Sequence, residues 1–163
     1  MRWAALILVV AAGCHHDPAG SPPTHADTLA AFDIRAHDGT ILVPAGDILE
    51  YEWATHTMRW HPGVKERLYH SLVAELVLGS PFTVCVDGRP IYGGKFTTWS
   101  SSYSQDAVVI LLDGQWDERG QFVPDKDVAH LELGYPTRKY FTGQDPRWDE
   151  AIRRTLEEVG KLK

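Results

Sequence analysis

Three Asp-Gly pairs punctuate this chain, Asp38-Gly39, Asp87-Gly88 and Asp113-Gly114, and each follows a short apolar or alternating run. Asp-Gly readily takes positive φ at both central positions of a two-residue turn, and the twist of that turn matches the twist of the strands it joins. A chain punctuated in this way is constrained to hairpins, and hairpins build antiparallel sheet.

The flanking segments agree. Phe32–Ala36 alternates, turns at 37–40 and returns through Ile41–Val43, and Pro44-Ala45-Gly46-Asp47 closes the unit. Ile48–Trp53 fits either element. Thr55–Trp60 alternates, with Thr55, Thr57 and Arg59 on one side and His56, Met58 and Trp60 on the other. Phe82–Val86 reads as a strand, Asp87-Gly88 as its turn and Pro90–Phe96 as a weaker partner, in which Gly93-Gly94 suggests a bulge. Thr97–Ser104 is a polar loop around Trp99. Ala107–Leu112 is nearly all apolar, as expected of a central strand buried on both faces. Residues 113–126 form a long hairpin tip, from which Val128–Leu133 pairs back with Ala129, Leu131 and Leu133 inward.

Two helices complete the pattern. Pro62 opens the first, Val64, Leu68, Leu72 and Leu76 make its stripe, Tyr69, Val73 and Val77 widen it, and Gly79 stops it. Asp145-Pro146 opens the second, with Trp148, Ile152, Leu156 and Val159 inward. Asp149–Arg153, Glu150–Arg154 and Glu157–Lys161 are its expected ion pairs. The fold class is therefore α+β: a mostly antiparallel sheet with two amphipathic helices packed on one face.

The N-terminus carries a different message. Arg2 precedes an uncharged apolar run from Trp3 to Ala12, followed by Gly13-Cys14. A basic start, a short greasy stretch and small residues form a secretory signal. The run is too short to span a hydrocarbon core, which takes about 20 apolar residues. Val10-Ala11-Ala12-Gly13-Cys14 resembles the bacterial lipobox, with Ala11 where that motif prefers Leu. The resemblance implies a lipidated Cys14 and a lipid-anchored protein of the cell envelope. By the same resemblance, His15 in place of an Asp after the cysteine points to the outer membrane. The expected organisation is a signal peptide over 1–13, a flexible tether over 14–27 rich in His, Pro, Gly and Ser, and one globular domain over 28–163. His15, His16 and His25 belong to that tether and are not read as metal ligands.

Composition narrows the functions. Of 163 residues 44% are hydrophobic and six are tryptophans, enough for a packed core, while a formal charge of −6 leaves no basic stripe for nucleic acid. With Cys14 lipidated, Cys85 stands alone inside Phe82-Thr83-Val84-Cys85-Val86, so no internal disulfide forms and Cys85 reads as a small buried hydrophobe.

Gly46-Asp47-Ile48, an extended stretch, an amphipathic helix and then Phe82–Val86 with Asp87-Gly88-Arg89-Pro90-Ile91 are together similar to the periplasmic head subdomain of the bacterial export component SecD/SecDF. The resemblance covers Gly46–Leu112 and implies an α+β fold. It does not carry over translocation, since fold alone does not transmit function.

No catalytic or metal constellation stands out, and no cofactor is expected. His56, His61, His70 and His130 lack zinc spacing, Glu66 and His70 lack a third ligand, and the serines of Trp99–Ser104 lack the Gly-x-Ser-x-Gly elbow. Tyr92, Trp99, Tyr103 and Tyr135 are the expected ligand or partner contacts, as loop aromatics that would form a recognition patch if exposed together. Two functions are therefore expected. The first is an envelope binding module with the membrane and an envelope protein as partners. The second is a small envelope hydrolase, using the Thr97–Ser104 loop with His130 or His56, in which a serine oxygen would lie within about 3.2 Å of an imidazole nitrogen.

Overall fold

A computed structural model describes residues 32–116, 119, 122–123 and 127–163. The signal, the lipobox and the tether lie outside the described residues, as do parts of the tip after Gly114. The fold is α+β. Strands β1 (Phe32–Ala36), β2 (Ile41–Pro44), β3 (Ile48–Glu52) and β4 (Thr57–Trp60) precede helix α1 (Val64–Leu72). Then come β5 (Ser80–Val86), β6 (Arg89–Thr97), β7 (Gln105–Leu111), β8 (Gln115–Trp116), β9 (Phe122–Val123), β10 (Val128–His130), β11 (Glu132–Tyr135) and helix α2 (Glu150–Glu158).

The strands form a six-stranded sheet of order β11-β7-β6-β5-β1-β2, a three-stranded sheet of order β10-β4-β3, and the short β8–β9 pair. Within the large sheet every pairing is antiparallel except β6–β7. Phe32, Ile34, Phe82, Val84, Phe96 and Ile110 from its inner face meet Ile48, Met58 and Trp60 of the small sheet, and Leu68, Ile152 and Leu156 of the helices, in one buried cluster. Each such side chain contributes about 1.5–3 kcal/mol by leaving water. At the β5–β6 turn Asp87 has φ 50° and Gly88 φ 74°, the two positive values that an Asp-Gly reversal requires.

Several expectations need correction. The expected strand Val128–Leu133 serves two sheets: Ala129 pairs with Met58 of β4, whereas Leu133 pairs with Val108 of β7. Between them Leu131 N–H donates to the carbonyl of His56 (3.1 Å). The β6 bulge lies not at Gly93-Gly94 but at Ile91, where the register passes from Val84↔Tyr92 to Cys85↔Pro90. Gly94 is needed for space, because a Cβ there would come within 2.2 Å of the Phe82 ring and 2.7 Å of Val108 O.

Helix α1 ends at Leu72, short of Gly79. The following turns still bury Leu76, yet Val73 and Val77 face solvent, so the stripe is narrower than its spacing suggested. Helix α2 starts at Glu150 because Asp149 is its cap, its carboxylate accepting from Ala151 N–H. Spent there, Asp149 does not pair with Arg153, which instead takes Glu150 and Glu157. Lys161 reaches the carbonyl of Ile48 rather than Glu157. Trp148 sits in a 3-10 turn before α2, half exposed.

Candidate ligand cavity and aromatic crossover

Two parallel neighbours cannot be joined by a tight turn and usually take a crossover of a dozen or more residues. Here only residues 98–104 separate Thr97 from Gln105. They return along a seven-residue strand, a distance of about 20 Å at roughly 3.3 Å per residue, after a tight turn in which Ser101 N–H donates to Thr98 O (3.2 Å). Beyond that turn, side chains hold the segment. Tyr135 Oη lies 2.6 Å from Trp99 O and 3.2 Å from Ser101 O. The Asp113 carboxylate accepts from Trp99 N–H at 3.1 and 3.3 Å. Ser101 Oγ donates to Val77 O (2.6 Å) and Gln105 Nε2 to Leu78 O (3.0 Å).

The third Asp-Gly pair thus differs from the other two: its aspartate fastens a distant loop. Burial pushes the Asp113 carboxyl up, opposed by the Trp99 N–H it accepts. Burial, and then the charge of Asp113, also pushes the Tyr135 phenol up and keeps it a donor.

The ring of Tyr135 serves a second purpose. With Val109 and Leu111 it forms a small apolar cluster separate from the main core. Side chains alternate across a strand, so Val108 and Ile110 point into the core while Val109 and Leu111 point to the outer face. A cavity of about 450 Å³ lies there, lined by Val109, Leu111 and Tyr135 together with Glu132, Thr137 and Arg138. Arg138 is set in place by donating to Phe141 O (2.9 Å) and by lying 5.0 Å from the centre of the Phe141 ring. The volume falls in the range of about 300–1,000 Å³ typical of small-molecule sites, and an apolar wall with a few polar groups at its rim is their usual make-up.

Of the four expected contact residues, Tyr135 lines the cavity, and Trp99 and Tyr103 lie outside its lining. Trp99 and Tyr103 are 45% and 53% exposed on the crossover, and Tyr135 holds that crossover while walling the cavity. Tyr92 is separated from them, buried in the main core and paired with Val84. Val109, Leu111 and Arg138 carried no sequence signal for a site. The two valines and two leucines of 108–112 look alike until the strand is placed between two different layers.

His130 also lines the cavity, and the hydrogen bonds of the crossover serines go to other groups. Ser100 Oγ shares a hydrogen bond with Thr98 Oγ1 (2.7 Å) and Ser101 Oγ uses Val77. His130 Nδ1 faces Thr57 Oγ1 at 3.2 Å. His56 is buried with φ 52°, its Nδ1 2.9 Å from Tyr51 Oη and its Nε2 without a hydrogen-bond partner. Trp148 packs edge-on against it, with ring centres 4.3 Å apart, and Trp53 at 5.7 Å. Burial, reinforced by the Arg147 cation, pushes His56 down to about 4. None of these bonds is the serine–imidazole pair of a hydrolase.

Cys85 is buried and its thiol is pushed up by burial, the setting of an inert cysteine. Glu66 and His70 stand 3.8 Å apart on an exposed helix face. Among the described residues no group of three or more His, Cys, Asp or Glu is placed to hold a metal ion, and no helix is long and apolar enough to cross a membrane. Comparisons with protein-family models, curated proteins and solved structures find no match to this chain.

Proposed function

We propose that the protein is a lipid-anchored binding module of the bacterial cell envelope, held at the membrane through Cys14 and taking up a small, mainly apolar ligand in the outer-face cavity. The single observation that carries the binding part is the cavity walled by Val109, Leu111 and Tyr135. Arg138 and Glu132 at the rim suit a ligand with a polar or charged end. The anchor part is supported by the apolar run ending in Gly13-Cys14. The expected location is the outer membrane, facing the periplasm or the outside.

Intact mass and membrane fractionation beside a Cys14→Ser variant test the anchor: wild type gains a lipid increment and sediments with membranes, and the variant does neither. Native mass spectrometry of protein extracted from its own membranes tests the cavity. A small-molecule adduct lost in Leu111→Trp is expected, and identical spectra for the two proteins would overturn the binding reading.

A further inference from the structure

A second surface is left outside the ligand reading. Beyond α1 the chain exposes Val73 (51%), Val77 (46%) and Leu78 (60%), and the crossover exposes Trp99 (45%) and Tyr103 (53%). These are one surface, since Ser101 Oγ donates to the carbonyl of Val77 and Gln105 Nε2 to that of Leu78. Charge at its edge is limited to Asp113, which accepts from Trp99 N–H, and Lys95, whose side chain lies beside Gly79. Between Ser71 and Gly79 the only charged residue is Glu75, whose carboxylate accepts from Ser80 Oγ (2.8 Å), and between Thr97 and Ser104 there is none.

We propose that this surface rests on the zwitterionic lipid headgroup layer of the membrane that carries the anchor. The proposal depends on the lipid-anchor reading above. Aliphatic side chains flanked by Trp and Tyr match the chemistry of that layer, where amphipathic rings keep an apolar body in the acyl boundary and a polar edge toward water. The chain has a formal charge of −6, and the one lysine beside the surface, Lys95 against Gly79, is outnumbered by Glu75 and Asp113, so its complement is a net-neutral headgroup rather than an anionic one.

The geometry of attachment permits the contact. Phe32 pairs with Val86 at one end of β5, whereas Leu78 and Gly79 lead into Ser80 at the other. The chain must therefore run back about 20 Å along the sheet to bring the surface to the bilayer. Residues 14–31 span at most about 60 Å, which covers that distance. A patch of five side chains suffices because the anchor makes its docking an intramolecular event.

The test uses the full-length protein reconstituted in phosphatidylcholine vesicles whose acyl chains carry bromine, a contact quencher of tryptophan. Wild type should lose at least twice as much fluorescence as Trp99→Phe, and Leu78→Asp should reduce the quenching of Trp99 with no change in thermal unfolding. Equal quenching of wild type and Trp99→Phe would overturn the proposal. A preparation that lacks the lipid mass increment reports failure of the anchor reading instead. The unlipidated protein is then held on the same vesicles by an N-terminal hexahistidine tag on a nickel-chelating lipid, where Trp99-dependent quenching supports the surface and its absence overturns it.

Discussion

The two faces of strand β7 meet different demands. Val108 and Ile110 enter a continuous core shared by both sheets and both helices, while Val109 and Leu111, one position along, reach an apolar cluster of only three residues beside a cavity. The same strand, built from the same residue types, is closely packed on one side and loosely filled on the other. The inner face carries the main core, and the outer face carries a smaller buried cluster beside the cavity.

That contrast is broken most severely from the inner side. Gly94→Ala would drive a methyl into the Phe82 ring and the Val108 carbonyl, neither of which has room to move, and should destabilise the fold by about 3 kcal/mol or more in chemical denaturation. Ile110→Trp should cost about 3 kcal/mol for the same reason, whereas Leu111→Trp, on the adjacent outer position, should stay within about 1 kcal/mol of wild type. Equal costs at the two positions would dissolve the distinction.

Acid should act on the inner side too. His56 resists protonation in the folded state down to about 4, against an ordinary 6.5 in the unfolded chain. Between those values the unfolded chain binds a proton that the folded one refuses. Stability from this group is therefore complete above about pH 7 and is lost as pH falls toward 4, by up to about 3 kcal/mol. His56→Asn, which tolerates the positive φ, should flatten this part of the stability–pH profile.

On the outer side the expected effects are smaller. Tyr135→Phe keeps the cavity wall but removes the donor to Trp99 and Ser101, at about 1–2 kcal/mol, and should speed hydrogen exchange in residues 98–104 while leaving β5–β6 unchanged. Gly88→Ala, at the Asp-Gly turn, should cost about 1 kcal/mol from its positive φ alone, since the nearest atom to the new methyl is a guanidinium nitrogen 3.7 Å away.

Much of the inner face could be read from sequence, because burial there follows period. His56, Met58 and Trp60 alternate inward as their spacing indicates, and Asp87-Gly88 makes the turn its chemistry dictates. The outer face was less legible. Nothing local says that Asp113, in the third Asp-Gly pair, fastens Trp99, or that β6 and β7 run parallel with so short a crossover. From sequence Gly94 reads as a bulge, because the ring of Phe82 that needs its space comes from another strand. Trp99 and Tyr103 read as aromatics on a polar loop, whereas Tyr92 falls in the strand Pro90–Phe96 and goes to the core.

The most direct test of the account is a fluorescence titration with anilinonaphthalene sulfonate, an apolar probe with one anionic group, against wild type and Leu111→Trp at neutral pH. The account predicts saturable binding to wild type, at least tenfold weaker in the variant, with both proteins unfolding at closely similar temperatures. Undiminished binding in a stably folded Leu111→Trp would contradict it.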